Sequence, residues 1–320
     1  MGEVGEVGRV YADVAAGPAR TLDRHPPPDL VVVGAACRDL SLDDPRGWRL
    51  GGGAAYGSLA AARLGLQVGC LIGLDDEAGG ASELGLVSAS GAAVITVPLA
   101  HGPVFENVEI EGRRLQRWSS MSDPMPPACL PDRWRRARAW LLAPVAGEIG
   151  DEWAALPPPG ALVGVGWQGL LRRFETDGSV VPAAPVRSAL LERAGLACVS
   201  REDLGPGPGI DLEALVDLVP RGAVVVTDGA AGGLAIVGGR TTRYGVLPAV
   251  AETDPTGAGD VFLAALMVAW LRRGRVADGE ALRFAAAAGS LAVEGIGLSG
   301  VPELSQVQAR LRSGAVPQSG

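Results

Sequence analysis

Lysine is missing from this 320-residue chain, and all 28 basic side chains are arginine. That absence excludes a Walker-type phosphate lysine, a Schiff-base lysine and a pyridoxal anchor. Two histidines, His25 and His101, are too few for a multi-histidine metal site or an imidazole relay. Cys37, Cys70, Cys129 and Cys198 stand far apart without a CxxC pair. A zinc site or disulfide framework is therefore not expected, and small buried thiols in a reducing compartment fit better. Long apolar runs are also lacking. The longest, Val261–Leu271, has 11 residues, about half of what a bilayer requires. Glu3 and Glu6 replace the basic start of a signal peptide. A cytoplasmic location with no membrane partner is the resulting expectation. Excess positive charge is absent as well: the formal net charge is −8, which argues against a nucleic-acid partner.

What is present is core material, with 48% hydrophobic and 20% charged residues, so disorder over the whole length is excluded. Residues 1–28, rich in Gly, Ala and Pro, read as an N-terminal extension outside the packed domain. Leu30–Ala36 is a continuous apolar strand of the kind buried on both faces. Gly51-Gly52-Gly53 opens a small-residue helix through Leu64, and Val68–Ile72 follows as a strand. Further strand-like runs at 140–143, 161–165, 197–200, 223–227 and 233–237, with helical stretches at Val186–Ala194 and Leu212–Val219, give the alternation of a parallel α/β sheet. Residues 94–118 differ: Val94–Val97 and Val104–Ile110 alternate, and Glu111-Gly112 turns the chain into Arg113–Trp118. This hairpin reads as a lid, with Phe105, Asn107, Arg114 and Gln116 as candidates to face a substrate.

The strongest local signal is Asp254-Pro255-Thr256-Gly257-Ala258-Gly259-Asp260 running into VFLAALMVAWL. A small-residue turn here precedes a helix apolar on every side, hence buried. Arg272, Arg273 and Gly274 are suited to its C-terminal end. Such a helix start offers unpaired N–H groups and a positive dipole end to a phosphate. Asp260 would stand there either as a simple cap or as a functional carboxylate.

The DPTGAGD turn resembles the C-terminal signature of the ribokinase-like (PfkB) family of carbohydrate and nucleoside kinases. GGGAAYGSLAAARLG, Gly51–Gly65, is similar to the family's N-terminal signature, and VVVGAACRDL, Val31–Leu40, to its first strand and substrate-binding aspartate. The resemblance is collinear from about residue 29 to residue 302. It implies a three-layer α/β sandwich with a mostly parallel central sheet and a small β lid, in one kinase domain over 29–315. The lid would come from about 37–53 and 94–118.

By the same resemblance, Asp260 is the general base, and Gly257, Ala258 and Gly259 form the anion hole. Asp39, Gly52, Gly53 and Tyr56 hold the acceptor, with Asn107 and Gln168 as further contacts. Thr227, Gly229, Ser200 and Thr256 contact the nucleotide. Ser200 stands where the family has Asn, and Asp203 where it has the Glu that organises magnesium indirectly; the Ser200–Glu202 stretch reads equally as an acidic surface-helix start. Tyr56 replaces a common Asn and Gly53 a common Lys, which moves specificity away from ribose towards another sugar, a polyol or a nucleoside. The implied reaction is phosphorylation of an acceptor hydroxyl by ATP with Mg2+. A K+ site near Asp254 and Gly295–Ser299, and a homodimer paired through the lid, are further implications. The competing reading is a catalytically silent ligand-binding regulator on the same fold. A Rossmann dehydrogenase fits poorly, because the glycines do not follow the first strand immediately.

Overall fold

A computed structural model describes residues 26–110, 113–205 and 211–314. Most of the N-terminal extension, the side chain of Arg114 and the domain limit at 315 lie outside the described residues.

The strands are β1 Leu30–Ala35, β2 Cys37–Leu40, β3 Trp48–Gly51, β4 Val68–Leu74, β5 Ala93–Pro98, β6 Val104–Ile110, β7 Arg113–Ser120, β8 Ala139–Leu142, β9 Leu162–Gly166, β10 Arg172–Phe174, β11 Ser179–Pro182, β12 Leu196–Ser200, β13 Ala223–Thr227, β14 Gly233–Val237 and β15 Arg240–Tyr244. Nine form the main sheet in the order β15-β14-β13-β12-β9-β8-β1-β4-β5. Its pairs are parallel from β13 to β5, whereas β14 and β15 are antiparallel. Both faces of the centre are covered. Along β1, Leu30 and Val32 enter one apolar cluster while Val31, Val33 and Ala35 enter the other, as the two-residue period of a strand requires. Helices Gly53–Arg63, Ala258–Arg273 and Gly279–Ala292 cover the first face. Trp134, Trp140 and Trp153 pack on the second.

The second sheet has six strands, ordered β10-β11-β7-β6-β2-β3. Two features of the expected lid change. Residues 94–97 belong to β5, which pairs in parallel with β4 at the edge of the main sheet. Their weak alternation came from edge exposure, not from a hairpin. The lid also takes β10 and β11, from a polar stretch without an apolar run. Its turn contains Asp177-Gly178 with Gly178 at φ 83, a hairpin signal that was available in the sequence. Gly233–Val237, read as one more strand of the parallel series, is antiparallel to β13. The helix expected at Val186–Ala194 is reduced to Ala189–Arg193.

Candidate active site

Two helices begin at the same end of the main sheet, and their first residues meet. The Ala258–Arg273 helix starts from Gly257, whose φ of 77 is left-handed, a conformation that costs a residue with a Cβ about 1–2 kcal/mol. A Cβ there would also overlap the Tyr56 ring. Tyr56 is itself buried in the helix Gly53–Arg63. At the start of that helix a Cβ built on Gly53 would lie 2.7 Å from Asp260 Oδ1. The two glycine motifs, some 200 residues apart in sequence, thus close on one carboxylate.

Asp39 reaches the same place from β2. Its Oδ1 accepts a long hydrogen bond from the Cys37 thiol at 3.5 Å, and a Cβ on Gly51 would overlap its carboxylate. Burial pushes Asp260 from 3.8 up to about 7; the nearby Asp203 and Asp39 add to that rise, and the Arg172 guanidinium opposes it. Cys37 and Tyr56 are both pushed upward, first by burial and then by the surrounding acids, so both stay protonated. Asp260 thus stands among the Asp39 and Asp203 carboxylates, the Tyr56 phenol, the Cys37 thiol and the Arg172 guanidinium.

The loop before Asp260 is tied down by Asp254. Its Oδ1 accepts from Thr256 N and its Oδ2 from Gly297 N, both at 3.0 Å, and Arg49 lies 3.8 Å from Oδ2. The expected neighbourhood of Asp254 and the 295–299 loop therefore exists. The Ala258 N–H is engaged with the Pro255 carbonyl at 3.3 Å.

Across the sheet's C-terminal edge, Ser200 ends β12 and Thr227 ends β13, in register with each other. The Thr227 hydroxyl donates to Val199 O at 3.4 Å, and Ser200 Oγ accepts from Glu202 N at 3.3 Å. Gly229, at φ 49, is exposed just beyond. Gln168 and Asp203, expected in separate roles, are bonded to each other: Gln168 Nε2 donates to Asp203 Oδ1 at 3.1 Å. On the lid, Asn107 Oδ1 accepts from Gln116 Nε2 at 2.9 Å, and Phe105 is buried against Phe174.

Residues 178–304 match the pfkB family of carbohydrate kinases. The chain matches that model over less than half of its length, the DPTGAGD turn included. It is 30% identical over 266 residues to an inositol 3-kinase from Oryza sativa subsp. japonica, an alignment covering 73% of this chain and 61% of that protein. The chain thus spans less than two thirds of that relative. The fold is matched by a pyrophosphate-dependent kinase of the ribokinase family solved with a pyrophosphate analogue and myo-inositol (TM-score 0.69, 20% identity, 88% of this chain and 99% of that one). It is matched also by Arabidopsis thaliana ribokinase solved with ribose and ATP (TM-score 0.64, 22% identity, 89% and 99%).

Three further residues at this candidate site carry no sequence motif. Arg172 opens β10, donates to Val145 O at 3.4 Å and lies 4.8 Å from the Phe105 ring centre. Arg49 faces Asp39 across the β2–β3 pair. Glu148 is fully buried beside the end of β1. Each follows from long-range packing, which no local pattern encodes; the Trp167-Gln168-Gly169 stretch, at the sheet's C-terminal end where ligands gather, stops short of Arg172. Among the described residues no helix is long and apolar enough to cross a membrane.

Proposed function

We propose that this protein is a phosphotransferase that phosphorylates a hydroxyl of a neutral polyol, with a cyclitol such as inositol as the favoured class over a sugar or nucleoside. The observation that carries this reading is the meeting of the two glycine-led helix starts at Asp260, within 2.7 Å of a Cβ on Gly53. An acceptor hydroxyl seated against Gly52 and Gly53 would lie beside a carboxylate whose proton affinity, at about 7, suits a general base near neutral pH. In the transfer, Asp260 removes the hydroxyl proton, the freed oxygen bonds to the donor's terminal phosphorus, and the phosphorus–bridging-oxygen bond breaks, leaving ADP from ATP or phosphate from pyrophosphate. The amides of Gly257, Ala258 and Gly259 face the charge that grows on the phosphoryl oxygens, with Ala258 first releasing its 3.3 Å turn contact. Asp39 accepts from a second acceptor hydroxyl and fixes which oxygen reacts. Asp260, Asp39, Asp203 and Asp254 outnumber Arg172 and Arg49 around this place, which disfavours an anionic acceptor.

Thr256, Thr227, Gly229 and Ser200 line the donor side of this proposal. Among the described residues no group of three or more acidic, His or Cys side chains could hold a metal by itself. That fits Mg2+, which keeps several waters and reaches such sites largely through substrate phosphates. Asp203 would hold it through water, and the ion would neutralise donor charge. Asp254 fits a K+ ligand poorly, because two amides and Arg49 already share its carboxylate. Wild-type protein should consume Mg-ATP or Mg-pyrophosphate only when a polyol from a panel of inositols, pentoses, hexoses and nucleosides is added. Consumption equal with and without every acceptor would overturn the kinase reading, in favour of a hydrolase if donor is consumed and of a silent binder if none is.

A further inference from the structure

The turn after β8, residues 143–148, touches β1, the start of the Gly53–Arg63 helix and the 169–172 stretch. A Cβ on Gly34 would come 2.5 Å from the Ala143 carbonyl oxygen, and one on Gly53 would come 2.9 Å from the Ala143 Cβ. Gly169 sits so closely on this turn that a Cβ would overlap the Pro144 carbonyl. Val145 O receives Arg172 Nη1 at 3.4 Å.

Glu148 holds this turn in place. Its side chain is 0% exposed. Its Oε1 accepts from Val145 N at 2.8 Å and Ala35 N at 3.1 Å, and its Oε2 accepts from Ala146 N at 2.8 Å. Ala35 ends β1 and leads into the strand that carries Cys37 and Asp39. Burial pushes the Glu148 carboxyl upward while the backbone N–H groups pull it back. A buried carboxylate is costly, and an apolar side chain of similar volume would avoid the cost. What the carboxylate supplies, and an apolar side chain could not, is three directed bonds joining two segments.

We propose that Glu148 is a positioning residue: by tying the 143–148 turn to the end of β1, it sets Asp39 on one side of the cleft against Arg172 and Asp260 on the other. It reaches no substrate itself. The proposal rests on the kinase reading above. Asp260 is surrounded by Arg172 from β10, Asp203 beyond β12, Asp39 and Cys37 from β2, Cys198 from β12 and Tyr56 from the Gly53–Arg63 helix. Of these Arg172 is the cation, and it rests on the turn that Glu148 organises.

The test compares wild type with Glu148→Gln, whose amide nitrogen would face a backbone donor. Acceptor kcat/KM is expected to fall about tenfold or more, with donor KM unchanged and the rising limb of the kcat–pH profile moved to higher pH as Arg172 loosens. Peptide-level hydrogen exchange should quicken at 35–39 and 168–174. A variant that lowers Tm yet keeps wild-type kcat, acceptor KM, pH limb and exchange would overturn the proposal. If Glu148→Gln does not fold, Arg172→Gln must move the pH limb the same way, and an unmoved limb overturns it. Wild type without turnover on any acceptor sinks the kinase reading instead; exchange at 35–39 and 168–174 then decides the positioning role alone, for it if faster and against it if unchanged.

Discussion

Asparagine at position 260 keeps the shape of the side chain and removes its ionisation. In the native protein that carboxyl is raised from 3.8 to about 7, chiefly by burial. The folded state therefore holds this proton more tightly than the unfolded chain does. The associated stability is complete below about pH 4, where both states are protonated, and is lost as the pH rises through the folded value near 7. At about 1.4 kcal/mol for each tenfold change in proton affinity, the loss has a ceiling of roughly 4 kcal/mol. Asp260 is partly open to solvent, so screening brings the real figure below that ceiling. Asp260→Asn has no such slope. With roughly 2 °C of Tm per kcal/mol for a chain this long, the variant should melt up to about 8 °C above wild type at about pH 8.5, and the gap should close towards about pH 4. The same substitution should lower kcat by about 10²–10⁴, the usual worth of a positioned general base. Thermal melts across this pH range and acceptor-dependent turnover measure both effects on one protein. A Tm difference that does not change with pH would refute the burial-raised carboxyl, and undiminished turnover would refute its role as base.

Asp39→Asn should cut acceptor kcat/KM by about 10- to 100-fold, the worth of a hydrogen bond to a charged group, while donor KM stays put; steady-state kinetics with each substrate varied would show it. Gly257→Ala should lower Tm by several degrees, because it combines a left-handed φ of 77 with overlap on the Tyr56 ring. Unchanged melting would mean that the ring is not seated there. Because Thr256 N, Gly297 N and Arg49 already partner Asp254, replacing K+ in the assay buffer by tetramethylammonium should leave turnover unchanged, and a large loss would return the cation to this site.

The parts of the site legible in the sequence are those where backbone chemistry leaves a residue signature. Gly257 must adopt a left-handed φ, Gly53 must let a carboxylate approach, and the helix after Gly257 is apolar on all sides because nine of its residues, Val261–Ala269, are buried. Those constraints write themselves into short motifs. Arg172, Arg49 and Glu148 leave no such mark, since an arginine or glutamate looks the same in sequence whether it faces water or a cleft. The fold was legible for a similar reason. β1 and β4, buried at every position, read as continuous apolar runs. The edge strand β5, with its mixed burial, imitated a lid strand. Gln168 is expected to contact the acceptor and Asp203 to organise magnesium indirectly; their pairing at 3.1 Å depends on two loops meeting, which neither segment encodes alone.

The most direct measurement is the pH dependence of kcat for acceptor-dependent phosphoryl transfer by the wild-type protein. A carboxylate base raised to about 7 predicts activity that climbs through neutrality and levels above it. A profile already flat from about pH 5 upward, as an ordinary solvated aspartate would give, would contradict it.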